Sequence, residues 1–480
     1  MELLNATPLA AAYNQGLDAA GRESLVVIAK GSFDLPLDGR EARLLDEQQA
    51  LLMMDEFFGE PGLSAPRREC DFVPFKPFCD VLVLGSAQAP GGRPVQQLTA
   101  GIRVGRVGKA LTVHGPRQWE PGLLGAGAGV AQPFQRQDIS YASAFGGSHA
   151  SPDNPGFMDC YMANPAGRGW FPRSADTAEI VGTPMPATEK PGEPVDSPHG
   201  RFTPMALGPL GRHWQARVGF AGRYDDAWLA ERFPFLPADF DERYFQSAPA
   251  DQWTDHLRGG EEVLLLNLTG EERAAFRVPR REVPVTFFLK KGGHETAQAR
   301  IDTLLVDCDA RRVEVTWRIR RPLKRNLFEI AQVLVGSKSA AWWRARELGK
   351  DYHPSLAALA RSRQAEEDEH EPGPEHRRFR HGQRGGSQRA GQLRGDPLRP
   401  GQLPGNPFHR PGRRMVACRQ RAAGAALARP RQVAEDGRAS HRRGLARPAR
   451  SRLHGAAAAA LRRRGRPSRT LRGARRVFPA

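Results

Sequence analysis

The hydrophobic positions of this chain fall into two strand-patterned blocks separated by a long stretch without a regular period. In the first block, SLVVIAKGSFDL (24–35) is β-branched and aromatic, and DVLVLGSA (80–87) is an apolar run closed by small residues. LTAGIRVGRVGKALTVHG (98–115) alternates. Leu98, Ala100, Ile102 and Val104 share one face, and Leu111 and Val113 resume the pattern after a glycine-containing turn, which predicts a hairpin. Residues 120–260 are rich in Gly, Pro and aromatics and predict long ordered loops with short strands. The second block holds EEVLLLNL (261–268), VPVTFFLKK (283–291) and ARIDTLLVDCDARRVEVTWRIRR (299–321). In the last of these VDCDARR is the turn, and Val313, Val315, Trp317 and Ile319 alternate. Helical spacing comes late, in FEIAQVLVGSKSAAWWRARELG (328–349) and SLAALARSRQAEEDEHE (355–371). The pattern predicts a mainly β body, sheet- or sandwich-like with long ordered loops, and a short helical C-terminal part. It divides the chain into a β-rich N-terminal domain (1–120), a loop-rich middle region packed on it (121–260), a second β block plus helix (261–350), a helix or linker (351–370) and a low-complexity tail (371–480).

Charge sharpens the last boundary. The 480 residues carry a net charge of +18, which invites a nucleic-acid or membrane-surface reading. Residues 371–480, however, hold 28 Arg and no Lys against 5 Asp plus Glu, a net of +23, while residues 1–370 hold 43 Lys plus Arg against 48 acids, a net of −5. All the excess basicity belongs to the tail. Dominated by Arg, Ala, Gly and Pro, and without Ile, Tyr or Trp, the tail cannot bury enough apolar surface to fold and is expected to be disordered.

Candidate chemistry is mostly negative. No pair among the five cysteines, Cys70, Cys79, Cys160, Cys308 and Cys418, has CxxC spacing, so neither a disulfide framework nor a zinc site is expected. GAGAG (125–129) lacks the GxGxxG spacing and reads as a flexible turn. Neither HExxH nor GxSxG occurs. The paired acids Asp225–Asp226 and Asp239–Asp241 read as caps and turns rather than a general acid and base. His114 reads as a strand-end residue. The expectation is a non-enzyme with no cofactor and no metal. The N-terminus has no basic n-region, and no run of about 18 apolar residues occurs, so neither a signal peptide nor a transmembrane helix is expected. Cytoplasmic localisation follows as the expectation.

One stretch is specific. In CDFVPFKPFCDVLVLGSAQAPGG (70–92), Pro74 and Pro77 flank Phe75-Lys76, and Asp71 and Asp80 bracket them. Proline fixes φ and pushes the preceding residue toward extended geometry. Asp71, Pro74, Phe75, Lys76, Pro77 and Asp80 therefore form either a structural corner, with Lys76 paired to Asp71 or Asp80, or a docking corner for a partner. The same stretch resembles the signature of a family of bacterial type VI secretion accessory proteins, built on a domain of unknown function and often found beside pentapeptide repeats. GPRQW (115–119), SYASAFGG (140–147), NPAGRGW (164–170), ALGPLGRHWQARVGFAGRYDDAW (206–228) and PFLPADFDERYFQSAPADQ (234–252) look like further family segments in family order, and the resemblance covers roughly residues 1–330. It implies an adaptor or chaperone that holds a toxic effector in the bacterial cytoplasm and helps load it onto the VgrG or PAAR spike. It carries over no catalytic residues.

The tail leaves three readings. It can be a nucleic-acid arm, binding phosphate by counterion release, although it lacks aromatics interleaved for base stacking. It can be a flexible interaction tail. It can also be the product of a shifted reading frame. In GQLRGDPLRPGQLPGNPF (391–408), Leu393, Leu398, Leu403 and Phe408 recur every five residues, a period that neither helix nor strand uses. Dropping one base from the usual codons for Gly-Gln-Leu permits Ala, then Asn or Ser, then Phe, the core of a pentapeptide repeat. A basic-tailed nucleic-acid-binding protein is accordingly the alternative to the adaptor.

Overall fold

The computed structural model describes residues 1–370 other than 19, 124 and 152–155, together with residues 418–419. Three antiparallel-rich sheets make up the body. The central one has six strands, β1 (Ala10–Leu17), β2 (Glu23–Asp34), β3 (Cys79–Leu84), β4 (Trp253–Thr254), β5 (Arg300–Asp307) and β6 (Arg312–Pro322). Their spatial order is β4-β3-β5-β6-β2-β1. β5 and β6 form the hairpin that the alternation in 299–321 predicts, with Val306 opposite Val313 and Arg311 turning the chain at φ 52°. β6 then pairs antiparallel with β2 from Arg312↔Asp34 to Pro322↔Ser24, and β3 pairs parallel with β5.

A second six-stranded sheet is built on the predicted hairpin Gln97–Val104 and Val107–His114, which turns at Gly105 (φ 53°), where a side chain would be strained. Glu262–Leu266, Arg273–Arg277 and Asp38–Glu41 extend it on one side, and Thr188–Glu189 on the other. The third sheet joins Glu2–Asn5, Ile330–Val335, Pro284–Leu289 and His294–Gln298. Strands from residues 1–120 and from 261–350 thus lie side by side in all three sheets. One apolar core unites them: Val27, Val83, Val306 and Trp317 of the central sheet pack with Ile102, Leu111 and Phe276 of the second and Val285 and Val333 of the third. Sheet faces buried against each other in this way give the mainly β body expected from the alternation.

Two local expectations change. The helix predicted over 328–349 is split, because a single 3-10 turn at Leu327–Glu329 leads into the strand Ile330–Val335, and the α-helix covers Ala340–Glu347. IAQVLV finds partners on both sides, antiparallel to Pro284–Leu289 and parallel to Glu2–Asn5, and tertiary pairing overrides helical spacing. The helix begins after Gly336 (φ 89°), with Ser339 accepting from the Trp342 amide. GAGAG is also not a loose turn: Gly125–Ala128 pairs antiparallel with Trp119–Gly122. The helix predicted over 355–371 is present as Leu356–His370. Cys70, Cys79 and Cys308 are free thiols, and Cys160 is disulfide-bonded. No described helix is long and apolar enough to cross a membrane. Apart from Cys418–Arg419, a short strand beside Met158–Cys160, the Arg-rich tail and the shifted-frame reading lie outside the described residues.

Candidate functional site

Alternation gives the central sheet two unlike faces. One is the apolar core. The other carries Lys30 and Ser32 from β2, Thr303 and Asp307 from β5, and Glu314, Thr316 and Arg318 from β6. In sequence these positions read as a solvated face, yet Lys30, Asp302, Asp307, Glu314 and Arg318 are all buried. The cover is the segment 48–78, which crosses the sheet as a strap. Gln48 accepts from the Ser32 amide (2.8 Å), and Asn14 donates to the Phe72 carbonyl (2.9 Å). Arg318 reaches out of β6 and donates to the carbonyls of Asp71 and Val73, both at 2.7 Å. Under the strap lies a cavity of about 240 Å³ whose wall includes Lys30, Arg68, Glu69, Lys76, Glu314 and Arg318.

The predicted motif enters this layer from above. Asp80, at the start of β3, is 0% exposed and Lys76 is 4% exposed. The Lys76 ammonium bonds Asp80 at 2.7 Å and Thr303 Oγ1 at 3.1 Å, and sits 3.7 Å from Glu69. Asp80 also accepts from Gln246 Nε2 (2.5 Å), the Ser247 amide (2.8 Å) and Ser247 Oγ (2.9 Å). Asp71 pairs instead with Lys30 (2.6 Å) and accepts from the Leu52 amide (2.7 Å). Pro74, Phe75 and Pro77 are half-buried, and the Arg320 guanidinium lies 4.1 Å over the Phe75 ring. The structure therefore brings Lys76 and Asp80 together inside, sets the half-buried Asp71 in a separate pair beside them, and leaves Pro74, Phe75 and Pro77 half-buried nearer the surface.

The network extends to residues the sequence did not single out. Glu69 is held by Arg217 (2.7 Å) and Arg212 (3.0 Å), and Arg212 also binds Asp55 (2.8 Å). Arg68 bridges Asp307 (3.0 Å) and Glu314 (2.7 Å), and Arg318 pairs with Asp302 (2.5 Å). Burial pushes the Glu69 carboxyl up, but Arg217, Lys76 and Arg212 outweigh it and hold it below the ordinary range. Burial likewise opposes the Lys76 charge, yet Asp80, Glu69 and Asp302 raise its pKa. Lys76 lies 3.5 Å from Ser247 Oγ, the spacing of a serine–lysine pair. Such chemistry needs a neutral amine, and the surrounding carboxylates keep this one protonated. Among the described residues, no group of three or more His, Cys, Asp or Glu is placed to hold a metal ion. What this arrangement does chemically is lock the strap to the sheet by mutual charge satisfaction.

A family described as uncharacterized proteins conserved in bacteria, DUF2169, matches residues 20–318. The chain belongs to this family. No curated protein and no solved structure matches it. The DUF2169 segment contains the strap, β2, β3 and β5, and it ends at Arg318, the residue that stitches β6 to the strap. It also contains a surface feature of opposite character. Between residues 224 and 235, Tyr224 (55%), Leu229 (59%), Phe233 (62%) and Phe235 (44%) are exposed. The half-buried Trp228 ring contacts both Tyr224 (4.8 Å) and Phe233 (5.7 Å) edge-on. The stretch is ordered. Asp225 caps the short helix Asp226–Glu231 by accepting from the Trp228 amide (2.9 Å), Trp228 Nε1 donates to the Phe235 carbonyl (2.9 Å), and Asp239 holds Arg223 (3.1 Å). Asp241 likewise accepts from the Arg243 amide (2.9 Å), so the paired acids act as caps and turns.

Proposed function

We propose that this DUF2169 chain is a non-enzymatic adaptor or chaperone of type VI secretion, which binds a toxic effector in the cytoplasm and helps load it onto the VgrG/PAAR spike. The observation that carries this reading is the exposed aromatic stretch of residues 224–235. Large apolar side chains grouped in the open mark a protein contact, and Tyr, Trp and Phe are the residues that anchor such interfaces. Capping and ring contacts hold this stretch in place before any partner arrives, which lowers the entropic cost of binding. The resemblance of the 70–92 stretch to type VI accessory proteins supplies the class of partner. Half-buried Pro74, Phe75 and Pro77 offer a second, smaller contact.

The test is co-production of the full chain with a VgrG, its PAAR protein and the effector encoded beside them. A stoichiometric complex that survives high salt supports the adaptor. Absence of any complex with all three contradicts it. A complex with nucleic acid that dissolves steeply as salt rises would instead favour the Arg-rich tail as the working part.

A further inference from the structure

A second cavity, of about 460 Å³, is lined by Gly115–Gln118 of GPRQW (115–119) and by Arg168 of NPAGRGW (164–170), and SYASAFGG (140–147) packs behind the latter; the buried network uses none of the three segments. Asn164 ties two of them together, donating through Nδ2 to the carbonyls of Tyr141 (2.9 Å) and Phe145 (3.1 Å) from a fully buried position. Phe145–Gly146 pairs parallel with Arg168–Gly169. A Cβ at Gly146 would stand 2.1 Å from the Asn164 carbonyl oxygen, so only glycine permits this approach. The third segment joins through Trp119, whose Nε1 donates to the Gly169 carbonyl (3.0 Å). The result holds Arg168 in the cavity wall with Arg117, Gln118, Glu120, Gln132 and Gln137.

Arg168 is unlike the arginines of the strap network. Its side chain makes no hydrogen bond or ion pair among the described residues, and its Nε is buried without a partner. Burial opposes its charge, Asp138 partly offsets this, and Arg117 adds repulsion. Asp138 is already engaged by the hydroxyls of Ser140 and Ser143. Arg117 is committed to Glu189 and the Pro186 carbonyl. Glu120, the remaining charge on the wall, is exposed and makes no ion pair among the described residues. A guanidinium stays protonated under these conditions and keeps its fork of donors open. An unpaired, partly desolvated cation is costly, and a rigid backbone that nevertheless holds one in a cavity flanked by amide side chains is arranged for a charge from outside.

We propose that this cavity binds an oxyanion-bearing ligand, a carboxylate or a phosphate, forked on the Arg168 guanidinium. Bidentate recognition of that kind is what arginine offers and lysine does not.

The full chain, purified without phosphate or carboxylate buffer, is titrated separately with inorganic phosphate and with citrate, following melting temperature and tryptophan fluorescence. The wild type gives a saturable rise in melting temperature with at least one probe, and which probe acts identifies the oxyanion. Arg168→Gln abolishes that response, while its melting temperature without probe equals or exceeds that of the wild type, because it removes an unpaired cation. Arg168→Lys keeps the charge and binds on the order of tenfold more weakly. No saturable response of the wild type to either probe, or an undiminished response of Arg168→Gln, overturns the proposal. So does a marked fall in the probe-free melting temperature of Arg168→Gln, which would make Arg168 structural.

Discussion

Charge and hydrophobicity exchange their usual places in two regions of this molecule. Beneath the strap, Lys76, Asp80, Arg217 and Arg318 are buried and meet the half-buried Glu69 and Arg68, each paired at hydrogen-bonding distance. On the surface, Tyr224, Leu229, Phe233 and Phe235 stand exposed around Trp228. An exposed leucine alone is unremarkable, and the informative departures are buried polar groups and grouped exposed apolar ones. The two departures teach different things. A charge network whose members are paired with one another is largely spent on the interior, with Glu69 Oε2 its one buried oxygen left without a hydrogen bond among the described residues, and it fixes how the strap lies on the sheet. An aromatic group held rigid in water has surface to offer and no internal use for it. The motif that looks most like a docking site in sequence thus owes its charged residues to the interior, and the surface suited to docking lies about 150 residues later in the chain.

The comparison breaks most visibly at Asp80. Asp80→Ala leaves a buried ammonium with Thr303 and a carboxylate 3.7 Å away, and removes the acceptor of Gln246 and Ser247. It is expected to cost about 3–5 kcal/mol in urea denaturation. A loss under about 1 kcal/mol would mean that the network does not hold the strap. Next comes Glu69, through pH. Its folded pKa lies below the ordinary 4.5, so its stabilisation is present above that value and is lost as pH falls through the folded pKa. Wild-type stability should therefore decline in acid more steeply than that of Glu69→Gln, read from denaturation midpoints across the acid range. Lys76 runs the other way: its pKa is raised above 10.5, and its contribution persists through neutral pH until alkali exceeds that value. A smaller effect is expected at the surface, where Asp225→Ala removes the cap of the helix Asp226–Glu231 and costs about 1 kcal/mol, with faster amide exchange confined to residues near 226–231. The smallest stability change belongs to Leu229→Ser, within about 0.5 kcal/mol, because that side chain is exposed and lies outside the ring contacts.

How far the sequence reached follows from which interactions are local. The hairpin Gln97–Val104/Val107–His114 was legible because its alternation and its turn lie within one short stretch. The caps at Asp225 and Asp241 were legible for the same reason, and so was His114, which closes its strand and meets Glu189 at 2.9 Å. Ile330–Val335 was not, since a short apolar run fits either helix or strand until its neighbours are known. The network was the least legible part. Glu314, Thr316 and Arg318 alternate with Val313, Val315 and Trp317, and that pattern reads as a wet face opposite a dry one. The strap and the region around 210–247 together make it dry, through contacts such as Arg68–Glu314 and Arg217–Glu69 that span 246 and 148 residues. Proximity in sequence suggested Asp71 or Asp80 as the partner of Lys76, and of the two the structure uses Asp80, while Asp71 goes to Lys30.

The most direct measurement places the two regions in one experiment. Leu229→Ser/Phe233→Ser/Phe235→Ser is compared with the wild-type full chain for melting temperature and for capture of the effector and the VgrG/PAAR spike. The predicted result is a variant that still melts cooperatively as a folded protein and loses capture by tenfold or more, on the order expected when interface anchors are removed. Undiminished capture by this variant would contradict it, and would return the search for the partner surface to the strap and its half-buried Pro74, Phe75 and Pro77.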